Sequence, residues 1–275
     1  MRALAELVRA PAALTVPGDT LAGAAAAGWP FRRRTLPLAA ASVCLYWAGM
    51  ALNDYADRGT DAVERPGRPI PSGRVSPATA LALATGLTFG GLGIAAAGGG
   101  RRALRIAVPL AATVWSYDLV LKATPLGPVA MAAARGLDVL LGAGGARAAV
   151  RPACTVGAHT LAVSVLSRSE VDGARPVVPA AAMAATAGVT LAARGAGKVA
   201  PVLVGAYALT TGKAQFDAVR DPAAHRVRHA VGSGIHGMIP LQAGLIARTG
   251  AWRTALAVAA AYPLARFLGR KVSPT

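Results

Sequence analysis

Ten apolar runs follow one another along the chain, near 12–30, 36–53, 77–97, 103–121, 127–146, 153–168, 176–194, 199–214, 230–247 and 252–269. Each approaches the roughly 20 residues that a helix needs to cross a bilayer. Little sequence is left over for anything but a membrane bundle. The composition agrees: 54% of residues are hydrophobic and 15% charged, whereas a soluble domain is about 25% charged. Much of the apolar content is Ala and Gly, which lets helices approach closely in lipid. The expected fold is an all-α polytopic membrane bundle forming one domain over residues 1–275.

The formal net charge is +17. A nucleic-acid binder would cluster its basic residues and interleave them with aromatics. Here Lys and Arg fall in short groups between apolar runs and aromatics make up 5%, so membrane lipid headgroups and an anionic substrate are the expected partners, not nucleic acid. Cys44 and Cys154 lie in separate apolar runs without metal-ligand spacing and read as packed thiols. The first residues carry Arg2 and Arg9, but Pro11, Pro17 and Asp19 follow, which argues against a removed signal peptide.

Three longer polar stretches interrupt the pattern: Asp54 to Ser76, Ser167 to Pro176 and Lys213 to His229. Even numbers of crossings separate them, so all three are expected at one face. Basic-residue counts in the connections are 15 on that face and 12 on the other, too even to orient the chain by the positive-inside rule.

The first stretch begins Asn53-Asp54-Tyr55-Ala56-Asp57-Arg58-Gly59-Thr60-Asp61. On a continuous helix Asp54, Asp57 and Asp61 would project within about 60° of one another. Three such carboxylates repel unless a cation is shared, and hard oxygens are what Mg²⁺ takes when it also holds substrate phosphates. The chain has only 12 Asp and Glu, and three of them fall in the eight positions from Asp54 to Asp61. The basic loop Arg65-Pro66-Gly67-Arg68-Pro69-Ile70-Pro71-Ser72-Gly73-Arg74 follows; its prolines stiffen it and its arginines suit bidentate contact with phosphate.

Asn53 to Asp61 resembles the NDxxDxxxD signature of the UbiA superfamily of intramembrane prenyltransferases, and Arg65 to Gly73 resembles that family's RPxRPIxSG. The start, Pro11 to Gly23, is similar to the family's first helix, and the chain looks closest to the EboC-like subgroup. The resemblance implies a bundle of about nine (eight to ten) helices in the cell membrane. It further implies a cytoplasmic-face site where Mg²⁺ and an isoprenyl diphosphate bind, and transfer of the prenyl group to a small-molecule or lipid acceptor. Asn53, Asp54, Asp57 and Asp61 would then form the first metal motif. Lys122, at the end of the fourth run, would approach the diphosphate, and Arg65 and Arg68 would contact it.

The family's second motif is commonly DxxxD after the sixth helix. The equivalent position reads Leu166-Ser167-Arg168-Ser169-Glu170-Val171-Asp172-Gly173. On a helix Glu170 and Asp172 would point about 160° apart, so both meet one ion only if Gly173 breaks the helix; Arg168 would take up diphosphate charge instead. A literal DxxxD at Asp217 and Asp221 lies two crossings too late, and Lys213, Arg220, Arg226 and Arg228 surround it. It reads as a charge-balanced loop.

Charge inside an apolar run is costly, near +2.5 to about +3.5 kcal/mol even on lenient scales, so Arg135, Asp138 and Asp19 need a reason. Arg135 and Asp138 could pair with each other, or face a central cavity toward diphosphate and acceptor, which Asp19 would share. His159 and His236 read as hydrogen-bonded packing residues. The alternatives to prenyl transfer are a non-catalytic relative that binds or moves a lipid-linked diphosphate, a terpene cyclase on the same scaffold, and an unrelated transporter.

Overall fold

The computed structural model describes residues 2–9, 15–30 and 32–263; residues 12–14 and 264–269, the outer parts of the first and last apolar runs, lie outside it. Among the described residues the chain is helical and strand-free, with eleven α-helices: α1 (Arg2–Leu7), α2 (Pro17–Ala26), α3 (Thr35–Ala56), α4 (Arg58–Glu64), α5 (Pro77–Ser116), α6 (Gly127–Gly142), α7 (Val150–Ser167), α8 (Val177–Ala193), α9 (Val199–Arg220), α10 (Ala224–Ala247) and α11 (Trp252–Ala259).

The third and fourth apolar runs form one long element, α5, that bends at Gly100, whose φ of 62° and ψ of −155° are open to glycine alone. Ser76 caps its start by accepting a 3.0 Å bond from the Thr79 amide, with Pro77 at the first position. Its far end winds into a π-helical turn, Tyr117–Leu121. Four segments, Thr35–Ala56, Pro77–Leu121, Arg147–Ser167 and Ala224–Ala247, are long and apolar enough to cross a membrane.

Packing pairs α3 with α5, α6 with α7, and α9 with α10. Small residues do what the composition implies: a Cβ on Gly23 of α2 would strike the Val139 carbonyl of α6, and one on Gly142 of α6 would strike Thr20 of α2.

Two expectations about polar segments change. The stretch from Lys213 to His229 is not a loop: α9 continues to Arg220 and α10 starts at Ala224, leaving 221–223 as the connection. Ala214, Ala218, Val227 and Ala230 are buried while Lys213, Arg226 and Arg228 stay largely exposed, so one face of each helix is apolar and supports it beyond the apolar run. Within Asp54 to Ser76, α4 forms a short helix.

The three polar stretches do meet at one end of the bundle. Lys122 reaches Asp57, Arg168 donates to the Thr124 carbonyl over 2.6 Å, and the Ala174 amide donates to the Pro222 carbonyl over 2.9 Å.

Candidate active site

A cavity of about 440 Å³ lies between α3, α5, α6, α7 and α10. Leu45, Met50, Leu110, Val114, Met131 and Met238 give it an apolar wall. Arg9, Asn53, Tyr117 and Asp118 line its loop end and Arg135, Asp138 and His159 its inner part; behind the wall these two groups join two clusters of charged side chains, through Arg9 to Asp54 and through Arg135 to Asp19.

The first is at the loop end. α3 ends at Ala56 and Asp57 takes a non-helical conformation (φ −85°, ψ 1°) before α4 begins. The break separates the three aspartates that a continuous helix would align. Asp54 and Asp61, each about 5% exposed or less, turn onto one guanidinium: Arg68 Nη1 lies 3.3 Å from Asp54 Oδ1 and 2.7 Å from Asp61 Oδ2. Arg9 Nη2 adds a third contact, 3.4 Å from Asp54 Oδ1. Asp57 instead meets Lys122, Oδ1 to Nζ 2.5 Å. The π-turn swings Asp118 under α3, where its carboxylate accepts a 3.1 Å bond from the Asn53 amide.

The second cluster is deeper. Arg135 and Asp138 both line the cavity but do not pair; Arg135 Nη1 is 3.0 Å from Asp19 Oδ2 on α2. Asp19 is fully buried and also accepts a 2.7 Å bond from Gln242 on α10. A buried carboxylate across the interface holds the guanidinium more completely than a neighbour three residues along the same helix. Asp138 is left beside Ser42, with its Oδ1 buried and unpartnered.

The remaining expected positions do not join either cluster. Arg65 and Asp172 are exposed. Residues 168–172 form turns, ended by Gly173 with φ 83°, so the helical geometry assumed for Glu170 and Asp172 does not apply. Burial pushes the Glu170 carboxyl up and Arg228 opposes the shift. Asp217 faces Lys213 at 3.8 Å and Asp221 faces Arg226 at 2.7 Å, as a charge-balanced segment should; the Arg226 bond holds the Asp221 carboxyl below its usual range. His159 is bonded through both ring nitrogens, to Tyr207 and the Gly234 carbonyl, and His236 to the Gly232 carbonyl.

Arg9, Asp118 and Gln242 are site residues that the sequence reading did not single out. Asp118 and Gln242 carried a usable signal, since each is a polar side chain in an apolar run; Arg9 had none.

For Mg²⁺ the donor chemistry fits in part. Asp54 and Asp61 already converge on one cationic group, and Asn53 lies one residue before Asp54. Among the described residues no three His, Cys, Asp or Glu gather closely enough to hold a metal by themselves. Mg²⁺ commonly takes one or two carboxylates and fills its octahedron with water and substrate phosphate, which this pair allows.

The model of the UbiA prenyltransferase family matches residues 14–168, more than half of the sequence. The chain belongs to the UbiA prenyltransferase family. It is 44% identical over 131 residues to the digeranylgeranylglyceryl phosphate synthase of Methanopyrus kandleri, a stretch covering 46% of each chain. Over 88 residues it is 42% identical to the enzyme of that name from Natronomonas pharaonis, covering 32% of each. These matches therefore span half or less of the relatives' length. Among solved structures, a UbiA homolog from Aeropyrum pernix K1 superposes with a TM-score of 0.70 at 23% identity, covering 86% of this chain and 97% of that one. A UbiA homolog from Archaeoglobus fulgidus bound to GPP and Mg²⁺ gives 0.63 at 15% identity, covering 94% and 99%. At such identities the likeness concerns the fold, which this UbiA-family chain shares.

Proposed function

We propose that this UbiA-family chain is an Mg²⁺-dependent intramembrane prenyltransferase working as one domain over 1–275. The observation that carries the reading is the cavity with two polar ends: Arg9, Asn53 and Asp118 at the loop end, where Arg9 leads on to Asp54, Asp61 and Arg68 beside it, an apolar wall, and Arg135 and Asp138 inside. An isoprenyl diphosphate fits with its charge at the first end and its tail along the wall.

Mg²⁺, when bound at Asp54 and Asp61 with Asn53, supplies positive charge against the diphosphate oxygens. Arg68, already at both carboxylates, is the basic side chain placed to contact the diphosphate; Arg65, Arg168, Glu170 and Asp172, which the family resemblance brings to this site, stand outside the cluster. Lys122, held by Asp57, opposes the charge that develops on the leaving group. The allylic C–O bond breaks with both electrons leaving on the diphosphate. The acceptor's oxygen then bonds to the allylic carbon, and its proton passes to the unpartnered Oδ1 of Asp138. Arg135, fixed by Asp19, orients an anionic part of the acceptor. The name shared by the relatives supports a hydroxyl of a glyceryl phosphate lipid as acceptor. We assign the reaction to the cytoplasmic face of the cell membrane, following the family resemblance.

One observation favours a non-catalytic reading: Arg68 and Arg9 already neutralise the carboxylates that a metal needs. The test incubates purified protein with Mg²⁺ and labelled prenyl diphosphates, with and without a glyceryl phosphate lipid or membrane extract. Diphosphate release that requires acceptor supports transfer, and release without it supports a cyclase. Binding without release at every chain length would leave the non-catalytic reading standing.

A further inference from the structure

The other end of the bundle is also basic, in a different way. The connections 27–34, 98–105, 143–151, 194–198 and 248–253 together hold twelve Lys and Arg and no Asp or Glu. They meet at one end: Arg151 and Arg248 both donate to the Ala192 carbonyl at the end of α8, each over 3.1 Å, and Trp29, Arg102 and the 143–146 turn line one space. Every ion pair among the described residues lies elsewhere, at the acidic end or inside the cavity. Among the described residues no carboxylate forms an ion pair with this surface.

That space is a second cavity of about 280 Å³, lined by Arg34, Arg102, Trp29, Leu38, Gly99 and the 143–146 turn. Two exposed guanidiniums at its rim offer paired N–H donors in the planar geometry that phosphate oxygens accept. The neighbourhood is apolar as well as charged: Leu36 is 72% exposed and Val150 49%, and tryptophan belongs at a membrane interface. A free phosphate ion would use the arginines alone. A lipid would use both, setting its phosphate between Arg34 and Arg102 and its chains against the exposed Leu36.

We infer that this pocket binds the phosphate headgroup of an anionic phospholipid, at the leaflet opposite the catalytic end. The inference stands apart from the proposed reaction. It extends the general attraction of anionic membranes for basic segments to one site with two named ligands.

The test uses the full chain in neutral detergent, titrated with phosphatidylglycerol, phosphatidylcholine or inorganic phosphate, with bound lipid counted by native mass spectrometry and the melting temperature followed in parallel. Phosphatidylglycerol should bind and raise the melting temperature, and the other two should do neither. R34Q/R102Q should weaken phosphatidylglycerol binding about tenfold or more, while R194Q/K198Q, the same charge change outside the pocket, should weaken it much less. Arg34→Gln alone, an exposed single change, gives the same comparison should the double variant not fold. Equal weakening by both double variants would reduce the site to diffuse surface charge and overturn the pocket. Equal stabilisation by inorganic phosphate or by phosphatidylcholine would overturn the assignment to an anionic lipid.

Discussion

The two acidic segments at the loop end, Asp54 to Asp61 and Glu170 to Asp172, have been treated differently by the fold. In the first, Asp54 and Asp61 are buried and turned onto one cationic side chain. In the second, Asp172 is exposed and Glu170 lies in a turn. Carboxylates become a site when the backbone makes them converge where water is scarce, and the first segment meets both conditions. The break at Asp57 is part of that: it sends Asp57 to Lys122 and leaves the other two to share Arg68.

If this contrast governs function, Asp54→Ala has the largest effect, a loss of turnover on the order of 10³-fold, read as diphosphate release. Arg68→Ala comes next and acts on stability. Leaving Asp54 and Asp61 without their shared partner should cost about 3 kcal/mol. Mg²⁺ should raise the melting temperature of this variant more than that of the wild type, because it would take over the neutralisation; an equal Mg²⁺ response in both would remove the pair from the metal site. Asp138→Asn should slow transfer about a hundredfold, the size expected for loss of a general base, with diphosphate binding unchanged by equilibrium dialysis. Glu170→Gln should change turnover only a few fold, and a loss matching that of Asp54→Ala would erase the contrast. Asp217→Asn, which removes one partly exposed ion pair, should stay within about 0.5 kcal/mol in stability and leave turnover as it is.

Much of the bundle was legible in the sequence because apolar length is a direct readout of what lipid demands. Small residues marked close packing, realised between Gly23 and Val139, whereas the third and fourth runs read as separate and α5 carries on through both with a bend at Gly100. The ends of α9 and α10 were not legible, since charged side chains on one helix face look the same in a list as charged side chains in a loop. At the site, the motif pointed to Asp54, Asp61 and Arg68, which do come together. The partners that arrive from far along the chain were hidden. Arg9 reaches Asp54 across 45 positions and Gln242 reaches Asp19 across 223, and only the helix packing brings those pairs together. The same packing overrode local spacing for Arg135, which sits three residues from Asp138 and pairs with Asp19 instead.

The most direct test of the central claim is diphosphate release by purified wild type and Asp54→Ala, with Mg²⁺, a prenyl diphosphate and a glyceryl phosphate lipid acceptor, each with and without the acceptor. The account predicts acceptor-dependent release by the wild type, matched by prenylated acceptor, and none above background by the variant. Equal release by the two proteins would contradict it.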